Sequence, residues 1–371
     1  MIKNLETIWK MSSNTVYGKY SLGSGNILKD RDTLWSVIDD PAVIADYRDM
    51  IKRDLRKAGI PLHWLSNSDV MDVGTGRQAI AFHELGARKV RHYDLSPENV
   101  ARMGGFLDRM CLGDALVTES CDLVEHPLDE EVFDLIYLSG IVQHFSNVGK
   151  GLLNCCRAVR PGGYLWLYFY RSGAFAWFVM NMVRDLVSLY PTVQDYFIAS
   201  ALLHSIDARP SYKTSSMMDG LFVEYMHLYR PECYLDFCSQ AGFEPVSSSG
   251  LDPHGKHVDH EFAIAATVVT LKKTRPTVTS EVDISTLSPA RSVNQLNPDL
   301  YDDQIVRENI SLYGDIREHL EGRQAADPII MSVAFRLFDF VEAVEEDWSA
   351  FDRHEKLRSL LTNIGTLLIK A

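Results

Sequence analysis

Cysteine is scarce in this chain and carries no pattern. Six thiols are spread over 371 residues with no CxxC pair and no framework spacing, which excludes a disulfide scaffold and leaves reduced, partly buried thiols with no assigned chemistry. Basic charge is short as well. The 37 Lys and Arg stand against 50 Asp and Glu, a formal net charge of -13, so phosphate backbones meet no broad basic footprint and no nucleic-acid partner is expected. Met1 to Lys10 alternates polar and apolar residues and lacks the apolar core of a signal peptide, so a cytoplasmic address is expected. A membrane span is also missing. The long apolar run Gly163 to Val183 is broken by Arg171, Ser172 and Gly173, and its halves have different periods. It reads as a buried strand followed by a helix, and no membrane partner is expected.

What is present is a large α/β domain with appendages. From Asp69 onward, short β-rich runs alternate with helical stretches: strands at Asp69 to Val73, Lys89 to Leu95, Phe133 to Leu138 and Gly162 to Tyr170. Helices fall between them, one closing at Gly86, one opening at Pro97, and one around Val148 to Val159. This alternation predicts right-handed crossovers and a parallel sheet covered on both faces. The end of the region differs. A helix from Pro231 to Gly242 precedes two strands, Phe243 to Ser249 and His260 to Lys273, which predicts an antiparallel pair finishing the sheet.

The flanking segments have their own patterns. Residues 1–68 read as an N-terminal extension, helical from Pro41 to Ala58, and 171–230 as an insert with a helical apolar stripe from Phe175 to Tyr190. Residues 274–300 are polar and proline-rich, a linker or a strap hugging the surface. Within 301–371, helices are predicted at Asp302 to Glu321, Pro328 to Glu346 and Arg353 to Lys370. The stripe Ile329, Ile330, Val333, Leu337, Phe340, Val341 and Val344 needs a partner surface, either this domain or the second subunit of a homodimer.

The stretch MDVGTGRQ, Met71 to Gln78, holds the strongest chemical signal. A strand ending near Asp72, then Gly74 and Gly76, then a helix brings backbone amides and a helix N-terminus against a ligand. Asp94 sits at the end of the second strand, where ribose hydroxyls need an acceptor. The pattern alone fits a nicotinamide or an adenosyl ligand.

Further motifs appear in order: YDLS at Tyr93 to Ser96, LGDA at Leu112 to Ala115, FDLIYLSGIVQHF at Phe133 to Phe145, and RAVRPGGYLWL at Arg157 to Leu167. Together, over about Asp69 to Lys273, they resemble the class I S-adenosylmethionine-dependent methyltransferases of the small-molecule type. The resemblance implies a seven-stranded, mostly parallel sheet with an antiparallel last strand, helices on both faces, a helical cap insert and a C-terminal helical extension. It implies S-adenosylmethionine as cofactor. Asp72, Gly74 and Gly76 would line its methionine end, Asp94 and Leu95 its ribose side, Asp114 and Ala115 its adenine, and Ser139 the methyl group. Arg77 could pair with the methionine carboxylate, since a guanidinium forks well onto a carboxylate; its plain alternative is a solvated arginine at a helix start.

Methyl transfer from a sulfonium is a direct displacement, so a base is needed only where the acceptor must lose a proton. Candidates are His144 after the fourth strand, His227 in the insert with Asp219 and Glu224, and His254 and His257 in the loop Leu251 to Glu261. His254, His257, Asp259 and His260 match no zinc spacing, so no metal is expected. The NPPY-type motif of base-modifying methyltransferases is replaced by SGIVQHF, which favours a small-molecule acceptor. A nicotinamide-dependent oxidoreductase is the first rival, opposed by the missing third glycine of GTGRQA and by the lack of a YxxxK pair. A non-catalytic, methyltransferase-like scaffold is the second.

Overall fold

Period-two alternation of apolar side chains organises the sheet, with each strand sending one set to either face. The computed structural model describes residues 41–189, 225–251, 266–321 and 353–370, with residues 323, 329, 330, 332–334, 336, 337 and 340. The strands are β1 (Asp69–Val73), β2 (Lys89–Asp94), β3 (Leu116–Ser120), β4 (Phe133–Ser139), β5 (Val159–Tyr170), β6 (Phe243–Leu251) and β7 (Ala266–Lys273). The helices are α1 (Pro41–Lys57), α2 (Arg77–Glu84), α3 (Pro97–Met110), α4 (Val148–Ala158), α5 (Phe175–Leu189), α6 (Pro231–Gln240), α7 (Gln304–Leu320) and α8 (Arg353–Lys370).

The strands form one sheet in the order β3-β2-β1-β4-β5-β7-β6. The first five are mutually parallel, and β7 runs antiparallel to both β5 and β6. The chain leaves β1 toward β2 and β3, then returns to β4 on the other side. The strand order therefore reverses beside β1, and a crevice opens outside the carboxyl ends of β1 and β4. Sequence reading missed one strand, β3. It lies at the sheet edge and buries only Leu116 fully, so it has little apolar signal.

Each sheet face has its own core. Val70, Val90, Leu116, Leu135, Tyr137 and Trp166 pack with α1, α2 and α3. Met71, Ile136, Leu138, Leu165, Leu167 and Phe169 face α4 and α6 on the other side. Local signals frame these helices: Ser96 caps α3 ahead of Pro97, and the Asn147 side chain accepts from Lys150 N at 3.0 Å at the start of α4. All six cysteines are free thiols, with Cys155, Cys156 and Cys238 buried.

Residues 274–300 make several contacts with the sheet domain. Val282 and Leu287 are buried in the α4/α6 core, and Val293 N donates to Leu228 O at 2.7 Å. Tyr229 OH lies 3.0 Å from Leu287 O and 2.9 Å from Ser288 O. Helix α4 meets this segment at Gly149, where an added Cβ would stand 2.3 Å from Ile284 O. Alanine in a helix interior is otherwise worth about 1 kcal/mol over glycine, yet this contact is with backbone and cannot yield cheaply. Gly149→Ala is expected to lower stability by about 1–3 kcal/mol, the usual cost of overpacking, as read by urea denaturation with an unchanged m-value.

A third core lies away from the sheet and joins segments read as separate. Helix α5 of the insert packs through Phe178, Val179, Met182, Val183 and Leu186 against Val306, Ile310 and Ile316 of α7 and Leu357, Leu361 and Ile364 of α8. The stripe residues Ile330, Val333 and Leu337 are buried in the same core. The partner surface they need is thus supplied within the chain. Tyr313 OH lies 2.8 Å from Met182 O and 2.7 Å from Asp185 Oδ2, and Arg317 Nε donates to the same carboxylate at 2.7 Å. Among the described residues, no helix is long and apolar enough to cross a membrane.

Candidate active site

The crevice at the strand-order reversal is lined first by the turn after β1. Gly74 has φ 115° and Gly76 φ 82°, left-handed values that a side chain would strain. Asp72 is fully buried, and its Oδ2 accepts from Ala79 N at 3.0 Å, tying β1 to the first turn of α2. Its Oδ1 has no hydrogen-bond partner among the described residues, and burial pushes its carboxyl up to about 7.

Asp94 stands at the end of β2, buried and facing the same crevice end. Its Oδ1 accepts from Ser96 N at 2.6 Å and its Oδ2 from Asn99 Nδ2 at 3.2 Å. Burial raises its carboxyl to about 8, while Ser96, Asn99 and Arg102 act in the opposite direction. Leu95, next in the chain, is 41% exposed, an apolar side chain left open at the rim.

His92 was missed in the sequence. It is buried, with Nε2 2.6 Å from Gly74 O and Nδ1 2.8 Å from Thr118 Oγ1. Asp72, His92 and Thr118 are in register across three adjacent strands. With Asp94 two residues further along β2, they place buried polar groups on a largely apolar sheet face, and that parity was the available signal.

Arg77 is buried, which removes the solvated helix-start alternative. Its Nη1 donates to Tyr47 OH of α1 at 3.3 Å, and the guanidinium lies 5.9 Å from the Tyr47 ring centroid. Gln78 beside it is buried too.

The expectation for Asp114 and Ala115 is corrected. Both precede β3, and Ala115 O accepts from Val90 N at 2.8 Å, at the amino end of β2. Four residues of strand, about 13 Å at roughly 3.3 Å per residue, separate that edge from Asp94. The acid at the carboxyl end of β3 is Asp122, whose Oδ1 accepts from Val124 N at 2.8 Å. Its neighbour Cys121 N donates to Asp94 O at 3.0 Å, which places this segment beside the crevice.

The opposite wall starts at Ser139, the half-buried last residue of β4. Gly140 follows with φ 68°, and a Cβ there would meet Tyr168 Cε1 at 3.1 Å. Tyr168 and Tyr170 at the end of β5 pack edge to face at 5.8 Å, and Tyr170 stacks on Trp177 of α5 at 4.1 Å. Residues 225–229 cross this wall. His144 Nδ1 lies 2.8 Å from Tyr225 O and must be its proton-bearing nitrogen, so Nε2 accepts from Gln143 Nε2 at 3.2 Å. Burial pushes the His144 ring down to about 4.

His227 is held differently. Its backbone N donates to Gln143 O at 2.9 Å, but its buried ring Nε2 meets no partner among the described residues. Burial lowers its pKa from the ordinary histidine value. The structure thus brings His144 and His227 together, with His144 engaged at both nitrogens and the buried His227 Nε2 without a hydrogen-bond partner among the described residues. Asp219, Glu224, His254, His257, Asp259 and His260 lie outside the described residues. No cluster of three or more metal-ligating side chains occurs among the described residues.

Comparison with known proteins finds likenesses in the central segment. Residues 71–167 match the family model described as "Methyltransferase domain". Two curated relatives, each named "Ubiquinone biosynthesis O-methyltransferase", come from Rhodopseudomonas palustris (strain BisB18) and Bradyrhizobium sp. (strain ORS 278). Each is 27% identical over 126 residues, covering 33% of this chain and 48% of the relative. The chain thus spans about half the length of the curated relatives it matches. A solved Burkholderia thailandensis 1,6-didemethyltoxoflavin-N1-methyltransferase is 18% identical, with 64% of this chain and 81% of that chain covered at a TM-score of 0.38.

Proposed function

We propose, from the match of residues 71–167 to a methyltransferase-domain family model, that this chain transfers a methyl group from S-adenosylmethionine to an oxygen or nitrogen of a small metabolite. The observation that carries the reading is the pairing of two walls across one crevice. One wall is a glycine turn with a buried carboxylate, Asp94, and the other is an aromatic rim holding a histidine nitrogen.

The first wall fits the cofactor. Gly74 and Gly76 bring no Cβ against it, Asp94 offers a carboxylate to the ribose hydroxyls, and open Leu95 offers an apolar edge to the adenine. Asp122 replaces Asp114 as the acid beside the adenine, Asp72 fixes the turn, and Ser139 borders the reacting end. When bound, S-adenosylmethionine supplies an electrophilic methyl group. The chain supplies alignment and, for a hydroxyl acceptor, removal of a proton. His227 is the base in this reading, because its Nε2 has no hydrogen-bond partner among the described residues and burial lowers its pKa, which favours the neutral ring. His144 braces residues 225–227 against the turn after β4. Tyr168, Tyr170 and Trp177 suit a planar acceptor. An oxygen acceptor agrees with the names of the two curated relatives.

Titration calorimetry with S-adenosylhomocysteine and with NAD tests the reading. Binding of the first and none of the second is expected, and the reverse result would refute it. Arg77 is the cation we assign to the cofactor's methionine carboxylate. In the same experiment, Arg77→Ala is expected to raise the dissociation constant of S-adenosylhomocysteine at least tenfold; an unchanged constant would remove that role.

A further inference from the structure

The Gly74 carbonyl points into the protein, where among the described residues His92 is the side chain that meets it. His92 Nε2 lies 2.6 Å away, and because a carbonyl oxygen only accepts, Nε2 carries the proton. Nδ1 is then an acceptor, and Thr118 Oγ1, 2.8 Å away on β3, donates to it. The imidazole is therefore fixed as one neutral tautomer. Asp72, in register with His92 on β1, holds the far side of the same turn through Ala79 N.

A trans peptide is planar, and its C=O and N–H point in opposite directions. Holding the Gly74 carbonyl inward consequently turns the Thr75 N–H outward, to the side on which the turn faces the crevice. Gly74, at φ 115°, has no side chain to resist a peptide flip. The restraint has to come from elsewhere, and the geometry supplies it from β2.

We infer that His92 is a positioning residue for the cofactor turn, keeping the Thr75 amide aimed at the ligand by holding the Gly74 carbonyl through Nε2–H. The inference rests on the reading of this turn as the S-adenosylmethionine site. Removing the donor would leave a buried carbonyl unsatisfied and free the peptide to rotate.

Calorimetry with S-adenosylhomocysteine on wild type, His92→Leu, His92→Gln and Thr118→Val tests it. His92→Leu is expected to bind about tenfold more weakly, the equivalent of one lost hydrogen bond. His92→Gln, whose amide can still donate to Gly74 O, should recover affinity to within about threefold of wild type. Thr118→Val keeps the donor but frees the ring tautomer, and a roughly twofold to fivefold loss is expected. In turnover, the cofactor KM should rise while kcat at saturating cofactor and the acceptor KM hold. A folded His92→Leu protein that binds as tightly as wild type overturns the inference, as does equal weakening by His92→Gln. Should His92→Leu not fold, Thr118→Val binding like wild type is the overturning result. A wild-type protein that binds no S-adenosylhomocysteine refutes the site reading itself, which separates the two failures.

Discussion

Asp94→Asn is expected to weaken S-adenosylhomocysteine binding about 100-fold. The carboxylate is buried, and its oxygens already accept from Ser96 N and Asn99 Nδ2, so it is oriented before any ligand arrives. In the proposed site a ribose diol would donate two hydrogen bonds to it. Hydrogen bonds to a charged group are worth about 1.5–3 kcal/mol each, so losing most of two gives roughly two orders of magnitude. Asparagine keeps the shape but turns an N–H toward donors, so the loss reports charge and acceptor capacity rather than packing.

The pH dependence has a definite sign. Burial raises Asp94 to about 8 in the folded protein, against an ordinary 3.8. Its contribution to stability is therefore full at low pH, where the carboxyl is protonated in both states, and is lost as pH rises through about 8. Cofactor affinity runs the other way. The ionised form accepts the ribose hydroxyls, so affinity should climb between pH 6 and pH 8.5, with proton release on binding below about pH 8. Calorimetry in buffers of different ionisation enthalpy measures that release, and Asp94→Asn should abolish it. Binding that is flat in pH, without proton release, would refute this account of the site.

His227→Ala carries the second large effect. General-base assistance contributes about 100- to 10,000-fold, and kcat on a hydroxyl acceptor is expected to fall by at least the lower figure. S-adenosylhomocysteine should bind to the variant as it does to wild type, because His227 stands on the opposite wall. Burial lowers the His227 pKa, so the base form persists below the ordinary value of 6.5. The acid limb of kcat against pH should accordingly fall below 6.5. His144→Ala is a useful contrast, since it releases Tyr225 O from its donor and should raise the acceptor KM more than it lowers kcat. A His227→Ala enzyme retaining wild-type kcat would remove the base from this position.

Much of the sheet is legible because its boundaries carry punctuation. Pro97 and Pro231 open helices at N1, and Gly86 and Gly242 stand at φ 86° and 91° just after helices end. The same logic explains the misplaced acid. LVTES at the sheet edge has one buried apolar residue and an exposed polar end, so its position as a strand could not be read. Without that strand, the resemblance put Asp114 at the adenine, although it belongs to the turn before β3. His92 had a readable signal in its even spacing from Asp94, a polar residue on a buried face. The union of α5 with α7 and α8 had none, since contacts such as Asp185 with Arg317 join positions 132 apart. Local periodicity says that a stripe needs a partner; it does not say which stripe.

Trp177 belongs to that union and to the aromatic wall proposed for the acceptor at once. It packs against the helical core built from α5, α7 and α8 and also against the sheet-face core, with its ring stacked on Tyr170. A side chain wedged between two cores transmits the position of each to the other. In the proposed site, the width of the acceptor slot is therefore set partly by how the C-terminal helices seat on α5. Substitutions near Tyr313 or Arg317, far from any reacting atom, become a route by which acceptor preference can drift while the cofactor turn stays as it is.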